Sequence, residues 1–561
     1  MRTLVCLVAF SFGASAATYY VAPNGNDSAA GNEAAPWSTL DKVYNKIVSG
    51  DAVYFRAGQW NNQYFWVGKT TGVTNVLICA YPGETVIMAN VAPNSVGGSG
   101  PSGVAALHMN GPNVNVTFRG IIWSNNWMTC DLQNASGTRF ENCQFGWRTS
   151  DPSGTNQYGF AYNSFVVWTS TFTTFTNCVF QKWGAANGGN ADGCPLSFGC
   201  IPSTTGPPDF LPTYQYSSNC WGNVVVDCTF YGGGHDLIEI YSPSNVIRRC
   251  KLFNPAWMID ADGTHYWGER HISTMTRMAQ PTLVEGCDFG HGANAVDAPN
   301  TLACFDVSSS KLILRQSRFF NNIGVCVAFY NKGYEAYPVN NYVYNNSMFL
   351  SGLSSTAQTN GYFWYNAAIT FPNSPATNNA IVNNVIWQIG PAGTNAAISG
   401  IIDSSTNHFA NNLLNTVDPL WTSTKCIASN SIPDLHLTAG SPAIDAGAWL
   451  TTVTSDSGSG TSFIVNDAGY FYDGWGIPGE VGDTIQLQGQ TATNRIIAVD
   501  YSSRTLTINA TATWTNGQGV ALAYSGRAPD IGAFEYGSAT ALVPPSGLRV
   551  TNSSTLSKSK P

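Results

Sequence analysis

Ionisable side chains concentrate in one part of this chain, residues 235–291. Charged residues make up only 10% of the 561 residues, yet this stretch holds four of the seven histidines. Histidines and carboxylates transfer protons near neutral pH, arginines bind carboxylates, and aspartate oxygens bind hard cations. The concentration therefore predicts a catalytic or binding site. Its members are His235, Asp236, Glu239, Asp260, Asp262, His265, Glu269, Arg270, His271, Arg277, Asp288 and His291.

A short recurring motif predicts how this cluster is positioned. Each copy has an alternating apolar strand, a polar corner and a second short strand, as in Val224–Phe230 and Val246–Leu252. A unit this small cannot bury its apolar face alone, so the copies must stack on one another. The sequence therefore predicts an all-β chain, a right-handed parallel β-helix, whose longer intervals between copies are loop insertions. The insertion at residues 254–278 carries the middle of the ionisable cluster, and such loops often carry function.

The same residue of the motif is cysteine or serine in successive copies. We expect these small side chains to stack as one inward-pointing column, because a free cysteine behaves as a small buried hydrophobe. Two further cysteines in a Gly/Pro-rich loop, Cys194 and Cys200, are candidates for a disulfide. The predicted column consists of Cys143, Cys178, Cys228, Cys250, Cys287, Ser317 and Ser347.

Pieces outside the repeat complete the predicted organisation. Residues 37–48 have helical apolar spacing, with Ser38 or Asp41 near the start, and predict a helix that caps the first coil. Residues 452–527 predict a small inserted β-domain, and residues 537–561 a flexible tail. The strands predicted in the inserted domain are Thr484–Leu487, Arg495–Val499, Thr505–Ile508 and Val520–Tyr524.

The first residues and the overall charge set expectations for localisation and partners. Residues 1–17 have a basic start at Arg2, an apolar run at Leu4–Phe12 and a small-residue cleavage site, so they predict a signal peptide and a secreted, extracellular protein. No later apolar run is long enough to span a membrane. The net charge of −8 argues against a nucleic-acid partner. We expect a monomer.

Both ends of the repeat region carry motifs that resemble a known superfamily. Residues Tyr20–Asp27 and Gly50–Gly58 resemble the N-terminal cap of secreted pectate-lyase-like right-handed β-helix proteins, and Ser441–Gly447 and Ala528–Tyr536 resemble the closing motif of bacterial members. The superfamily includes polysaccharide lyases and alginate epimerases. The resemblance implies a β-helix over residues 18–451, closed by residues 528–536, and a polysaccharide as the partner.

Under this resemblance, the favoured function is cleavage of a uronate-containing polysaccharide by β-elimination. A base must remove the proton α to the uronate carboxylate, and a cation must neutralise that carboxylate. Arg270 or Arg277 is the candidate to bind the carboxylate. The candidates for the base are His271, His265 and Lys332; those for a Ca²⁺ site are Asp236, Asp260 and Asp262; and those for substrate binding are His235, Arg277, Tyr266, Trp267 and Tyr334.

Two other functions fit the same residues. A glycoside hydrolase needs two carboxyl groups about 5–10 Å apart, and Asp260 or Asp262 with Glu269 or Asp306 would supply them. A non-catalytic surface protein, such as an adhesin that binds glycans, needs neither the base nor the acid. The fold hosts all three functions, so the sequence leaves them open.

Overall fold

The computed structural model describes most of the repeat region and the whole inserted domain. The described residues are 16–68, 71–91, 105–126, 128–147, 165–181, 194–201, 215–216, 219–231, 236–253, 258–259, 265–266, 270–274, 281–290, 303–322, 324–330, 338–349, 351, 367–372, 376–389, 396–400, 404–415, 417–426 and 431–537.

Three long parallel sheets form a right-handed parallel β-helix, as predicted. Each coil passes through sheet 1, then sheet 3, then sheet 2. Sheet 1 has 13 strands: Thr18–Val21, Ala52–Phe55, Leu77–Ala80, Thr117–Arg119, Arg139–Glu141, Thr174–Thr176, Val224–Val226, Asn245–Arg248, Thr282–Glu285, Leu312–Arg315, Tyr342–Tyr344, Ala380–Val382 and His408–Ala410.

Sheets 2 and 3 have 11 strands each. The strands of sheet 2 are Phe65–Trp66, Ala105–Met109, Met128–Leu132, Phe165–Val167, Leu196–Phe198, Asp236–Ile240, Arg270–Thr274, Ala303–Val307, Val325–Phe329, Ala367–Phe371 and Ala396–Gly400. The strands of sheet 3 are Gly58–Asn61, Val86–Ala89, Ile121–Asn126, Gln144–Trp147, Val179–Gln181, Thr229–Tyr231, Lys251–Phe253, Asp288–Gly290, Arg318–Phe320, Ser347–Phe349 and Val385–Trp387.

The corner between sheets 1 and 3 keeps its length along most of the helix. Two residues join the strands, for example Arg249 and Cys250 between Asn245–Arg248 and Lys251–Phe253. The first corner residue has a left-handed backbone, with φ of 52° at Arg249 and 63° at Gly286. This conformation turns the chain sharply, so the second corner residue points into the core.

The five predicted cysteines occupy this second corner position and form one column. Backbone bonds connect each to the next coil; for instance, the amide of Lys251 donates to the carbonyl oxygen of Cys228. Ser317 continues the column, but Ser347 does not. The amide of Ser317 donates to Asn346 Oδ1 at 3.0 Å, because the turn here places Asn346 at the corner and Ser347 at the start of the next strand. Asn384 and Asn412 follow Asn346.

Aromatic side chains fill much of the core by stacking from coil to coil. The rings of Phe140 and Phe175 stack at 5.1 Å between centroids, and those of Phe180 and Phe230 at 4.4 Å. Equivalent residues lie above one another at the strand spacing, so like side chains meet and no coil needs a core of its own.

A short helix, Leu40–Tyr44, packs against the first coils through Leu40 and Val43. It is shorter than the predicted 37–48, and its N-cap is Thr39 rather than Ser38 or Asp41. The Thr39 side chain accepts from the amide of Lys42 at 3.1 Å. The carboxylate of Asp27 accepts from the amides of Ser38 and Thr39 at 2.8 and 3.1 Å. The helix therefore begins at Leu40, three residues after the predicted start at residue 37.

The inserted β-domain is an antiparallel six-stranded sheet, and its predicted strands are present with small shifts at their ends. It packs on the side wall formed by sheet 1. There Tyr344 donates to the carbonyl oxygen of Tyr470 at 2.7 Å. Its strands are Thr451–Thr452, Gly458–Ile464, Thr484–Leu487, Thr493–Asp500, Thr505–Trp514 and Gly519–Leu522.

Carboxylates of the closing motif hold together the two segments that flank this insertion. Asp530 accepts from the amide of Asp445 at 2.7 Å, and Asp445 accepts from the amide of Arg527 at 2.6 Å. Three two-stranded antiparallel sheets complete the described structure, and no helix in its described part is long and apolar enough to cross a membrane. Their strands are Cys200–Ile201 with Gln215–Tyr216, Met258–Ile259 with His265–Tyr266, and Trp421–Ser423 with Asp434–Leu437.

Candidate functional site

The connections that enter and leave sheet 2 vary widely in length, unlike the two-residue corner described above. Sixteen residues join Phe253 to Arg270, whereas four join Tyr231 to Asp236. Loops of unequal length around one sheet can enclose a cleft over its outer face, so this face is where a site would form.

Polar side chains line the outer face of sheet 2 in one column along the helix axis. The parallel register pairs Ser197 with Glu239, Glu239 with Ser273, and Ser273 with Asp306. Ile238 and Ile272, one residue earlier, point into the core. Successive coils lie about 4.8 Å apart, so four polar groups follow one another within about 15 Å along this face.

Arg270 lies between two carboxylates at the centre of this face. Its Nη1 is 3.5 Å from Asp236 Oδ1, and its Nε is 3.1 Å from Asp306 Oδ2. Ser273 Oγ donates to Asp236 Oδ2 at 2.6 Å, and Ser308 Oγ donates to Asp306 Oδ1 at 3.1 Å. All five side chains are buried, so these charges interact in a medium that screens them less than water does.

Glu239 and Cys194 extend the cluster on the side of Asp236. The carboxylate oxygens of Asp236 and Glu239 and the Sγ of Cys194 all lie within 4.8 Å of one another. Burial and then the charges of Glu239 and Asp236 raise the pKa of the Cys194 thiol. Cys194 is thus present as a buried thiol, which does not fit the disulfide expected with Cys200.

Of the residues assigned a role in elimination, Asp236, Arg270 and His271 are fully described. The structure brings Asp236 and Arg270 together on the outer face. His271 lies on the core side of the same strand, with its ring 5.9 Å from the Phe289 ring and its Nε2 3.4 Å from the carbonyl oxygen of Gly290. His271 therefore has no role in the site that we propose below.

The other predicted site residues cannot be placed in this way. His265 and Tyr266 form a strand paired with Met258–Ile259, and their side chains lie outside the described residues. The roles assigned to them stay predictions, as does the Ca²⁺ site, of which only Asp236 is described. The residues wholly outside the described part are His235, Asp260, Asp262, Trp267, Arg277, Lys332 and Tyr334.

A second polar group lies on the same face, nearer the N-terminus. The ring of Trp66 is 5.3 Å from that of His108, which pairs in register with Asp131. Burial lowers the pKa of His108 to about 4. Burial also raises the pKa of Asp131 to about 6, although Gln133 donates to its carboxylate at 2.9 Å and opposes that rise. These groups add polar side chains to the same face toward the first coils, and the apolar Val166 lies in the register between Asp131 and Ser197.

The sequence placed Glu239 in the ionisable cluster without a role of its own, made Cys194 a disulfide candidate and assigned no role to Ser197. The missed signal was a polar residue at the same position of four neighbouring strands of sheet 2. These residues are Ser197, Glu239, Ser273 and Asp306. No two-residue corner marks the strands of sheet 2 in the sequence. Which of their residues lie side by side is therefore known only from the strand register in the structure.

No family model matches the chain, and no curated protein matches it. Among solved structures, it is similar to a pectate lyase at 14% sequence identity, covering 93% of this chain and 97% of that chain with a TM-score of 0.43. It is similar to a rhamnogalacturonan lyase at 13% identity, covering 73% of this chain and 91% of that chain with a TM-score of 0.44. It is similar to a surface adhesin of Streptococcus pneumoniae at 10% identity, covering 72% of this chain and 93% of that chain with a TM-score of 0.41. These similarities concern the fold alone.

Proposed function

We propose that the protein is a secreted enzyme that cleaves a uronate-containing polysaccharide by β-elimination on the outer face of sheet 2. The observation that carries the proposal is the position of Arg270 between Asp236 and Asp306 in a buried polar column. The signal-peptide pattern of residues 1–17 supports secretion.

In this proposal Arg270 binds the carboxylate of the sugar. A guanidinium meets a carboxylate through two parallel N–H donors, and a uronate can replace the single contact that Asp236 or Asp306 makes with it. Neutralising the uronate stabilises the negative charge that develops when the neighbouring C–H bond breaks.

Asp306 is the proposed base among the described residues. It takes the proton α to the uronate carboxylate; the electrons of that C–H bond form the new C=C bond as the glycosidic C–O bond breaks. The departing oxygen then takes a proton from solvent. Ser308 and Arg270 fix the carboxylate of Asp306 in position, which is the positioning that proton transfer requires.

A specific observation favours a second candidate, glycoside hydrolysis. Glu239 and Asp306 lie on the same outer column with Ser273 between them, so the strand spacing sets their backbones about 10 Å apart. Their side chains can approach the separation of about 6.5–9.5 Å used by inverting enzymes. This pair would act as acid and base across the scissile bond.

The product distinguishes these chemistries. We would incubate the purified protein with a panel of uronate polymers and neutral glycans, and measure ultraviolet absorbance of unsaturated uronate together with new reducing ends. Both signals mark elimination, and reducing ends without absorbance mark hydrolysis. If no polymer gave either signal, that result would contradict the enzymatic proposal and favour a glycan-binding protein.

Matched variants test the site. Arg270→Ala should lower kcat/KM at least about 100-fold, the usual effect of losing a group that stabilises developing charge. The control is Arg249→Ala, since Arg249 pairs with Asp227 at the opposite corner of the coil. We expect the control to keep its activity. Equal activity of the two variants would remove the outer face of sheet 2 from the mechanism.

A further inference from the structure

Cys194, Asp236 and Glu239 form a compact group of possible metal ligands. One ligand atom from each lies within 4.8 Å of the other two, and all three side chains are buried. Cys194 comes just before strand Leu196–Phe198, and the two acids are on the adjacent strand of sheet 2. A single ion could contact all three without a change of backbone.

Ser197 supplies an independent indication of a ligand. Its side chain is 0% exposed, and its Oγ has no hydrogen-bond partner among the residues that the structure describes. The register pairs Ser197 with Glu239 on the outer face, so this hydroxyl points to the same side of the sheet as the three ligands. A buried hydroxyl is normally hydrogen-bonded or bound to a ligand.

The charges of the cluster suit a cation. Carboxylate oxygens of Asp236 and Glu239 lie within 4.8 Å of each other, and both side chains are buried. Two carboxylates this close repel each other in a buried setting. A divalent ion bound by both would lower that repulsion.

We propose that Cys194, Asp236 and Glu239 bind a divalent transition metal of the zinc class. Thiolate sulfur is a ligand for zinc and similar ions, whereas Ca²⁺ and Mg²⁺ take oxygen ligands. The Cys194 thiol gives its proton to solvent as the metal–sulfur bond forms. The hydroxyl of Ser197 lies beside the ion. This inference goes beyond the proposed function and does not depend on it.

Cobalt titration tests the metal–sulfur bond directly. The full chain, stripped of metal with a chelator, would be titrated with Co²⁺ while the charge-transfer absorption of a cobalt–thiolate bond is recorded. We expect one equivalent of Co²⁺ to produce this band, Zn²⁺ to abolish it by displacement, and Ca²⁺ to leave it unchanged. Absence of the band, or displacement by Ca²⁺, would overturn the proposal.

Variants assign the band to Cys194. Cys194→Ser should abolish it, and Glu239→Gln should weaken Co²⁺ binding at least tenfold. Cys326→Ser is the matched control, because Cys326 is buried on the core side of the same sheet, and it should keep the band. A band that survives Cys194→Ser would refute the assignment.

X-ray absorption at the zinc edge of the wild-type protein keeps the proposal testable if Cys194→Ser fails to fold. One sulfur at about 2.3 Å from zinc, with oxygen ligands completing the shell, is the expected result; a shell without sulfur would overturn the proposal. None of these measurements uses a polysaccharide, so failure of metal binding and failure of catalysis are separate outcomes.

Discussion

Arg315 of the β-helix and Asp483 of the inserted β-domain form a two-point ion pair, with N···O distances of 2.8 and 2.5 Å. Arg315 also binds Glu285 of the neighbouring coil, and Glu285 binds Arg248, which reaches Glu480 of the β-domain at 2.9 Å. The whole network is buried. The β-domain is therefore attached to sheet 1 through charges that have lost their contact with water.

Removing Arg315 should destabilise the protein strongly. Arg315→Ala leaves Glu285 and Asp483 buried without their cation, and breaking a buried ion pair in this way costs about 3–5 kcal/mol. Urea unfolding would measure the change. The control is Arg119→Ala, whose partner Glu141 lies at 2.8 Å while the Arg119 side chain is 51% exposed; that loss should stay below about 1 kcal/mol. Equal losses would contradict the network.

Glu535 predicts how stability depends on pH. Burial, and then the charge of Asp530, raise the pKa of Glu535 from 4.5 to about 7. Between these two values the folded protein binds more protons than the unfolded chain, so stability falls as the pH rises through this window.

The difference between wild type and Glu535→Gln isolates this effect from other titrating groups. The amide cannot ionise, so the thermal midpoint of wild type relative to the variant should rise as the pH is lowered from about 7 toward 4.5. Differential scanning calorimetry at several pH values provides the measurement. A constant difference between the two proteins would show that Glu535 titrates normally.

The repeat could be predicted from sequence because its corner has two residues in most coils. Two residues lie between strands Val224–Val226 and Thr229–Tyr231, and two between Asn245–Arg248 and Lys251–Phe253. The cysteine column can therefore be predicted from the amino-acid sequence. The assignment of Ser347 failed by one residue because Asn346 also fits a small polar corner.

The site could be predicted only in part. Charge concentration singled out Asp236 and Arg270, because charged residues are rare in this chain, and the structure places these two side chains 3.5 Å apart. It could not tell which side of a strand faces the core: His271 packs beside Phe289 while Arg270, one residue earlier, meets Asp306. Glu239 and Cys194 meet because loops of unequal length bring two coils into register, and no local pattern encodes that pairing.

Asn384 should be hard to replace, because it links three coils. Its Oδ1 accepts from Asn346 Nδ2 at 3.0 Å, and its Nδ2 donates to Asn412 Oδ1 and to the carbonyl oxygen of Val343, both at 2.9 Å. Asn384→Asp keeps the shape but loses both donors and places a charge in the core. We expect a loss of at least about 2 kcal/mol in urea unfolding.

An exposed asparagine provides the matched control for that change. Asn177 donates to Asn142 Oδ1 at 2.7 Å on the surface of the corner, where water can replace the lost bond. Asn177→Asp should change the unfolding free energy by about 0.5 kcal/mol or less. A similar loss of unfolding free energy in both variants would mean that burial of the hydrogen bonds made by Asn384 adds nothing to stability.

The cysteine column predicts a difference in chemical reactivity between the folded and unfolded protein. Its five thiols are at most 1% exposed, and alkylation requires a thiolate that the reagent can reach. We expect iodoacetamide to leave Cys143, Cys178, Cys228, Cys250 and Cys287 unmodified under native conditions and to modify all five in urea. Peptide mass spectrometry reads each site separately. All five cysteines belong to one stacked core. If any one of them were alkylated in the native protein as fast as in the unfolded protein, its coil would have to open independently, which would contradict a continuous column.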